Sequence, residues 1–213
     1  IKKDIYGNAW VVNPNAVHSN NILAIQGSGG VWQHIEGPDD DSFLPQEIAF
    51  GPNNTVWVSF RYYENLSNGG IKVLSYGSLN DKYDDIWHDI ENPQDLPGGE
   101  NASVWSVEFT TAGGQDILWV LTSHGVQGYV VNNYKLTPIY PIDFYSNLPF
   151  YKGDKLRVDA QNNIWIVTQH SGVRIIQNNT TFWPSIDGIT SSELGLLSNI
   201  VYDVSFDVNN GIA

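Results

Sequence analysis

The stretch DAQNNIWIVT at residues 159–168 places a polar turn directly before a short apolar segment that contains Trp165. Asp and Asn favour turns, whereas Ile, Val and Trp are enriched in β-strands. The same combination recurs as YGNAWVVN around Trp10, PNNTVWVSF around Trp57 and GGQDILWVLT around Trp119. By subtraction, successive Trp residues lie 47, 62 and 46 positions apart. Self-similarity at this spacing predicts a repeat architecture.

Each repeat predicts four short strands. An alternating segment precedes the Trp strand, with a further copy at residues 201–206, and a second apolar strand follows it. A Trp-x-x-Ile element closes the repeat at residues 32–35, 87–90 and 183–186, with 136–139 as a degenerate copy. No stretch shows sustained apolar periodicity of 3.6 residues, so helices are not expected.

Four-stranded units in series bury their apolar faces by stacking around an axis, which predicts an all-β fold of the β-propeller class with four-stranded antiparallel blades. The Trp of each second strand is then expected to lie in the core between blades. As a single domain over residues 1–213, the predicted blades cover residues 1–36, 44–91, 103–140 and 154–187, and a fifth begins at 199–213. Since propellers have about four to eight blades, we expect a part of a larger ring. The alternative is a small closed ring in which the terminal strand near Val204 completes the first blade.

The composition excludes several classes of protein. The 213 residues carry a formal net charge of -13, so binding to nucleic acid or insertion into an anionic membrane is not expected. The aromatic fraction of 13% argues against a disordered chain. The chain has no Cys, which excludes disulfides and thiolate metal sites.

The candidate binding residues lie between the second and third strands of the repeats, where propeller loops gather on one face. Arg61, Tyr62 and Tyr63 belong to an apparent loop insertion at residues 61–69. Arg offers a planar fork for carboxylates, and Tyr offers a stacking face for sugar rings. His124 and His170 occupy matching repeat positions, where a pair of imidazoles could bind a metal or an anionic sugar, or could serve only as turn residues.

Two acidic runs are candidates for Ca²⁺, namely Asp39 to Asp41 and the carboxylates between residues 81 and 100. Neither matches a known calcium-loop pattern, so solvated acidic loops are the preferred interpretation and no cofactor is predicted.

The pattern D-x-x-N-N-I-W-I-V-T-x-H-S-G-V at residues 159–173 resembles the two-component regulator propeller repeat. The segment GLLSNIVYDVSFDVNNGIA at residues 195–213 is similar to PorZ-like propellers, which are associated with type IX secretion and surface polysaccharide attachment in bacteria. The resemblance implies an extracytoplasmic location, periplasmic or on the cell surface, and further blades or domains of a longer chain. Its motifs specify blades and no chemistry.

We therefore expect a non-enzymatic propeller that binds a glycan or a protein partner. Motifs of serine hydrolases, zinc proteases and phosphate loops are not present in the sequence. A polysaccharide hydrolase or lyase is the alternative, because a catalytic carboxylate pair is defined by its separation in space. A purely structural module of a larger surface assembly is a third interpretation.

Overall fold

The computed structural model describes residues 1–15, 20–38, 43–78, 81–139, 149–177, 181–193 and 195–206. The described chain forms four antiparallel sheets, and each sheet contains four strands in sequence order. The strands are β1 Lys2–Lys3, β2 Ala9–Val12, β3 Asn21–Gln26, β4 Trp32–Glu36, β5 Pro45–Phe50, β6 Thr55–Tyr63, β7 Ser67–Ser75, β8 Ile86–Asp89, β9 Val104–Ala112, β10 Gln115–Thr122, β11 Gly125–Asn132, β12 Lys135–Pro138, β13 Lys155–Val158, β14 Ile164–Val167, β15 Val173–Gln177 and β16 Thr181–Trp183. The predicted all-β fold of four-stranded antiparallel units is confirmed.

Helices contribute little to the described residues. They form three single-turn 3-10 helices, at Pro52–Asn54, Lys82–Asp84 and Pro93–Asp95. None of the described helices is long and apolar enough to cross a bilayer.

Three apolar cores fill the spaces between successive sheets. Each core combines the Trp of one sheet with apolar residues of the next sheet: Trp10 with Ile48, Trp57 with Val107, and Trp119 with Leu156. These three Trp side chains are buried, as predicted. Sheets that stack in series through one Trp each have the arrangement of propeller blades, and we call them blades 1 to 4.

The segment at residues 201–206 lies against blade 4 without forming a strand. Val201 N donates to Thr168 O at 3.0 Å, and the rings of Trp165 and Phe206 lie 5.2 Å apart. The residues predicted to begin a fifth blade thus lie against blade 4 and form no strand within the described chain. The predicted continuation at residues 207–213 lies outside the described residues.

The outer strand of blade 4 is shorter than predicted. A strand at residues 183–186 was expected from the Trp-x-x-Ile pattern, but β16 ends at Trp183. The following residue, Pro184, has no backbone N–H, so it cannot continue the ladder. The pattern therefore predicted a fourth strand for this blade but misplaced it, since the predicted element and β16 share only Trp183.

The indole N–H of each repeated Trp donates to a polar side chain of the hairpin formed by the first and second strands of its blade. The donor–acceptor pairs are Trp10 with Asp4 at 3.0 Å, Trp57 with Thr55 at 3.0 Å, Trp119 with Thr110 at 3.1 Å and Trp165 with Asp159 at 2.9 Å. A buried indole without an acceptor would be destabilising, so the polar turn and the apolar strand form one unit.

The Asp159 carboxylate organises the turn before β14. It accepts hydrogen bonds from the backbone N–H of Gln161 and Asn163, from the Asn163 side chain and from Trp165. Burial alone would raise the pKa of this carboxyl, but the hydrogen bonds outweigh it and hold the pKa below the ordinary value. Asp4 occupies the equivalent turn of blade 1, and its pKa is lowered by the same balance.

We predict that Asp159→Asn lowers the free energy of unfolding by about 1–3 kcal/mol, because it removes the charge that accepts these hydrogen bonds. A carboxyl with a depressed native pKa stabilises the fold above its unfolded pKa of about 3.9, and this contribution is lost as pH falls through the native value. The difference between wild type and variant should therefore be constant near neutral pH and shrink below about pH 4.

Urea unfolding followed by Trp fluorescence at several pH values measures this difference. Asp187→Ala is the control, since Asp187 is an exposed carboxylate in the turn after β16 and should change stability by less than about 0.5 kcal/mol. Equal stability of Asp159→Asn and wild type at neutral pH would show that the turn does not depend on this carboxylate.

Candidate functional site

The hairpin ends that join second to third strands lie on one face of the sheets together with the connections between blades. Ser123, at the turn after β10, donates its N–H to Ser103 O at 2.9 Å, and Gly70 N donates to Ala102 O at 3.0 Å. Gly172, in the hairpin of blade 4, donates to Asn199 O at 2.9 Å. We call this side of the sheets the loop face.

Residues Arg61, Tyr62 and Tyr63 are the last residues of β6, not part of an open loop. Tyr62 pairs with Asn68 and Tyr63 pairs with Ser67 across the hairpin. The predicted loop insertion at 61–69 is therefore wrong, because the additional residues lengthen both strands and leave a short turn between them. Strand pairing gives these side chains a more rigid support than a loop would.

The two tyrosines at the end of this hairpin are exposed. Tyr62 is 41% exposed and Tyr63 is 47% exposed, and the Arg61 guanidinium lies 5.1 Å from the centre of the Tyr63 ring. The backbone N–H of Tyr62 donates to Ser103 Oγ at 3.1 Å, so blade 3 holds the hairpin in place. We call Arg61, Tyr62 and Tyr63 the hairpin patch.

His124 lies at the turn of the next hairpin, on blade 3. Its Nδ1 is 3.0 Å from Ser123 Oγ, and its ring lies directly over Gly98. A Cβ on Gly98 would collide with the ring, and Gly98 also has a φ of +92°, which favours glycine. The exposed imidazole thus packs on the connection between blades 2 and 3.

His170 lies in the corresponding hairpin of blade 4 and has different neighbours. Its Nδ1 is 3.7 Å from Asp154 Oδ2, and its ring meets the ring edge of Tyr151 at 4.9 Å. The Asp154 side chain is fully buried and accepts from the backbone N–H of Tyr151 at 2.8 Å and of Gln169 at 2.9 Å. We call Tyr151, Asp154 and His170 the second patch.

His124 and His170 therefore occupy separate surroundings on successive blades. In the described part of the chain, no cluster of three or more His, Cys, Asp or Glu side chains is suited to a metal ion. The candidate calcium residues Asp39 to Asp41 lie outside the described residues.

The acidic stretch after residue 80 folds as a compact turn. Asp81 accepts from Tyr83 N at 3.0 Å, and Asp84 accepts from Ser78 N at 2.9 Å. Burial, together with the charges of Asp84 and Asp81, raises the pKa of Asp85 to about 6. The carboxylates of Asp81 and Asp84 thus accept hydrogen bonds from backbone N–H groups of their own turn.

A second group of charges, which the sequence did not single out, lies where the first strands of the blades converge. We call it the channel cluster, and it consists of Lys2, Glu47, Glu108, Lys155, Arg157 and Asp203. These residues come from β1, β5, β9, β13 and the segment 201–206. They line a cavity of about 860 Å³ together with apolar residues such as Trp10 and Phe206.

Two cations and two carboxylates alternate in the middle of the channel cluster. Lys2 Nζ lies 2.6 Å from Glu108 Oε1 and 3.5 Å from Glu47 Oε1. Arg157 Nη1 lies 2.8 Å from Glu47 Oε1 and 3.7 Å from Glu108 Oε1. Burial raises the pKa of Glu108, and the Glu47 charge adds to the rise, whereas Lys2 and Arg157 oppose it.

Asp203 connects the segment 201–206 to blade 4 through the same cluster. Its two carboxylate oxygens accept from Arg157 Nε at 2.9 Å and Nη2 at 3.0 Å, and Lys155 Nζ donates to it at 2.7 Å. Burial would raise the pKa of Asp203, but hydrogen bonds from both cations hold the pKa below its usual range. A paired guanidinium and carboxylate of this geometry is among the stronger ion pairs.

Glu47 of blade 2 contacts residues of the three other blades. Besides its contacts to Lys2 and Arg157, it accepts a hydrogen bond from the buried Ser106 hydroxyl, which in turn accepts from Leu156 N at 2.9 Å. The carboxylate on blade 2 is thereby connected to backbone and side chains of blades 3 and 4.

A signal for this cluster exists in the sequence. The first-strand residues paired with the repeated Trp are charged in three blades, namely Lys2 opposite Trp10, Glu108 opposite Trp119 and Arg157 opposite Trp165. In blade 2 the paired residue is Ala49, and the charge lies two residues earlier at Glu47. A charged first-strand residue opposite the repeated Trp, or two residues before that position, is therefore the sequence signal for side chains that converge in the channel cluster.

The fold defines a protein of the β-propeller class, and comparisons with solved structures agree. The chain is similar to PorZ of Porphyromonas gingivalis, described as a bacterial surface component of the type-IX secretion system, with 16% identity, a TM-score of 0.66, and coverage of 96% of this chain and 29% of that one. It is also similar to the extracellular domain of the putative hybrid two component system BT3049 of B. thetaiotaomicron, with 17% identity, a TM-score of 0.54, and coverage of 82% and 20%.

A third similar structure is the virginiamycin B lyase of Staphylococcus aureus, with 14% identity, a TM-score of 0.51, and coverage of 85% of this chain and 52% of that one. No protein-family model and no curated protein matches the sequence. The predicted resemblance to PorZ-like and two-component regulator propellers is confirmed at the level of the fold, and the chain spans less than a third of either of those two structures.

We predict that Glu47→Ala lowers the free energy of unfolding by about 2–4 kcal/mol, because it removes the mainly buried carboxylate that accepts hydrogen bonds from Arg157 and the Ser106 hydroxyl. Asp89→Ala is the control, since it removes an ion pair to Lys72 in which the carboxylate is largely exposed, and it should cost less than about 1 kcal/mol. Chemical denaturation of both variants measures the difference. Equal losses would show that the channel cluster contributes no more than a surface pair.

Proposed function

We propose that this β-propeller acts outside the cytoplasm of a bacterium as a non-enzymatic binding module, and that its loop face recognises a glycan or a protein partner. The residue types of the loop face favour the glycan. Exposed Tyr rings can stack on sugars, and Arg can donate several hydrogen bonds to hydroxyl or carboxylate oxygens.

The hairpin patch is the observation that carries this proposal. Two adjacent tyrosines remain exposed at the end of one hairpin, whereas the Trp side chains of β2, β6 and β10 are buried between blades. The patch is preformed, because strand pairing and the hydrogen bond from Tyr62 to Ser103 fix its backbone. A rigid aromatic surface loses little conformational entropy on binding, which favours recognition.

The extracytoplasmic location is supported by the similar structures. PorZ is described as a bacterial surface component, and the BT3049 segment is described as an extracellular domain. A role in surface sensing or in type IX secretion is consistent with both.

We predict that the triple variant Arg61→Ala, Tyr62→Ser, Tyr63→Ser reduces glycan affinity by about tenfold or more, since aromatic and Arg anchors dominate most recognition surfaces. A glycan array followed by calorimetry on the bound glycans measures the loss. Tyr83→Ser is the matched control, because Tyr83 is 87% exposed but lies in the connection between β7 and β8, away from the hairpin ends.

Unchanged glycan affinity in the triple variant would remove the hairpin patch from the site. If the wild-type protein bound no glycan on the array, the glycan proposal would be wrong, and a protein partner or a purely structural module would be favoured.

A polysaccharide hydrolase or lyase is the second candidate function, and the channel cluster is the observation that favours it. Glu47 Oε1 and Glu108 Oε1 both contact Lys2 Nζ, at 3.5 and 2.6 Å, so the two carboxylates lie close together in the cavity. Glycosidases use two carboxylates about 5–10 Å apart, one with a raised pKa. The pKa of Glu108 is raised, but Lys2 and Arg157 pair with both groups, which disfavours proton transfer.

A polysaccharide depolymerisation assay tests this candidate. Cleavage by the wild type that is lost in Glu108→Gln would establish it. Cleavage that persists in Glu108→Gln would exclude this pair from catalysis.

A further inference from the structure

We propose that the ligand of the loop face is an extended, mainly neutral oligosaccharide that contacts the hairpin patch on blade 2 and the second patch on blade 4 at the same time. This inference rests on the proposed function and adds to it a second contact site and a class of ligand.

The second patch presents an exposed aromatic ring on a fixed support. Tyr151 is 56% exposed, and its ring edge contacts His170. The residue before it, Phe150, is buried in the third core, and Phe150 O accepts from the indole N–H of Trp105 at 3.0 Å. The Asp154 carboxylate accepts a hydrogen bond from the Tyr151 backbone N–H, so hydrogen bonds at two successive residues fix the backbone that carries this ring.

The two patches flank the same short segment of blade 3. Tyr62 of the hairpin patch donates to Ser103, and Trp105, two residues further along, donates to the carbonyl next to Tyr151. Two residues of extended chain span about 7 Å, and a side chain at each end brings the separation of the patches to on the order of 20 Å. A mono- or disaccharide is too short to contact both patches.

His124 lies on the blade between the two patches. Its exposed ring packs over Gly98, beside the connection that leads to Ser103. A chain that crosses from Tyr62 to Tyr151 therefore passes over a blade that also presents a hydrogen-bonding group. Blades 2, 3 and 4 thus each present an exposed side chain that can contact a sugar. Contacts on three successive blades favour a linear ligand over a compact one.

The electrostatics of the protein favour a mainly neutral chain. The net charge of -13 repels a polyanion at long range. The cations of the channel cluster are paired with carboxylates of the same cluster, so this cavity offers a charged sugar no free partner among the described side chains. Stacking and hydrogen bonding on the loop face require no charge on the ligand.

The test compares neutral oligosaccharides of increasing length, from disaccharides to hexasaccharides of β-linked glucose, mannose and xylose, on an array and by calorimetry. In the wild type, we expect a hexasaccharide to bind at least about tenfold more tightly than the disaccharide of the same series, because the second contact is intramolecular. Tyr151→Ser should abolish this gain in affinity with length, whereas Tyr63→Ser should weaken binding of both lengths.

Tyr83→Ser is again the control, and melting temperatures confirm that each variant folds. Equal affinity for the two lengths, or a hexasaccharide affinity that Tyr151→Ser does not change, would overturn the inference and leave the proposed function standing. If Tyr63→Ser had no effect on either length, or if no glycan bound, the proposed function and the inference would both be wrong.

Discussion

Burial of one tryptophan between each pair of adjacent blades is the constraint on which the rest of the structure depends. An aromatic ring of this size buries about 150–250 Å², which at about 25 cal/mol per Å² corresponds to roughly 4–6 kcal/mol before entropy is counted. The indole N–H must also find an acceptor, and Asp4, Thr55, Thr110 and Asp159 provide it within the same hairpins. Each ring thereby fixes both the packing of the next blade and the geometry of its own hairpin.

The repeat pattern was sufficient to predict the fold because each structural unit is local. Turn residues, strand residues and the core Trp lie within about ten positions of one another, so their pattern is visible in one segment. Predictions failed where pairing depends on a partner. Residues 61–63 look like an insertion until Asn68 and Ser67 are placed opposite them, and residues 201–206 have strand-like composition but no strand beside them.

The candidate site on the loop face could be inferred from the sequence only in part. The hairpin residues Arg61 to Tyr63 could be located because the repeat fixes which loops share a face. Tyr151 and Asp154 could not, since their importance comes from contacts with His170 in another part of blade 4. The channel cluster could not be predicted because its contacts join residues that are far apart in the sequence. Lys2 and Glu108 are separated by 106 positions, and Arg157 and Glu47 by 110.

The alternation of charge around the axis also restricts how this repeat protein can evolve. Lys2, Glu47 with Glu108, Arg157 and Asp203 follow one another as cation, anion, cation and anion. Duplication of blade 3 would bring a further Glu into the anionic pair, and deletion of blade 4 would remove the guanidinium between Glu47 and Asp203. Gain or loss of a single unit would therefore upset the balance of cations and carboxylates in this cavity, so the order of these blades is coupled to stability independently of any ligand.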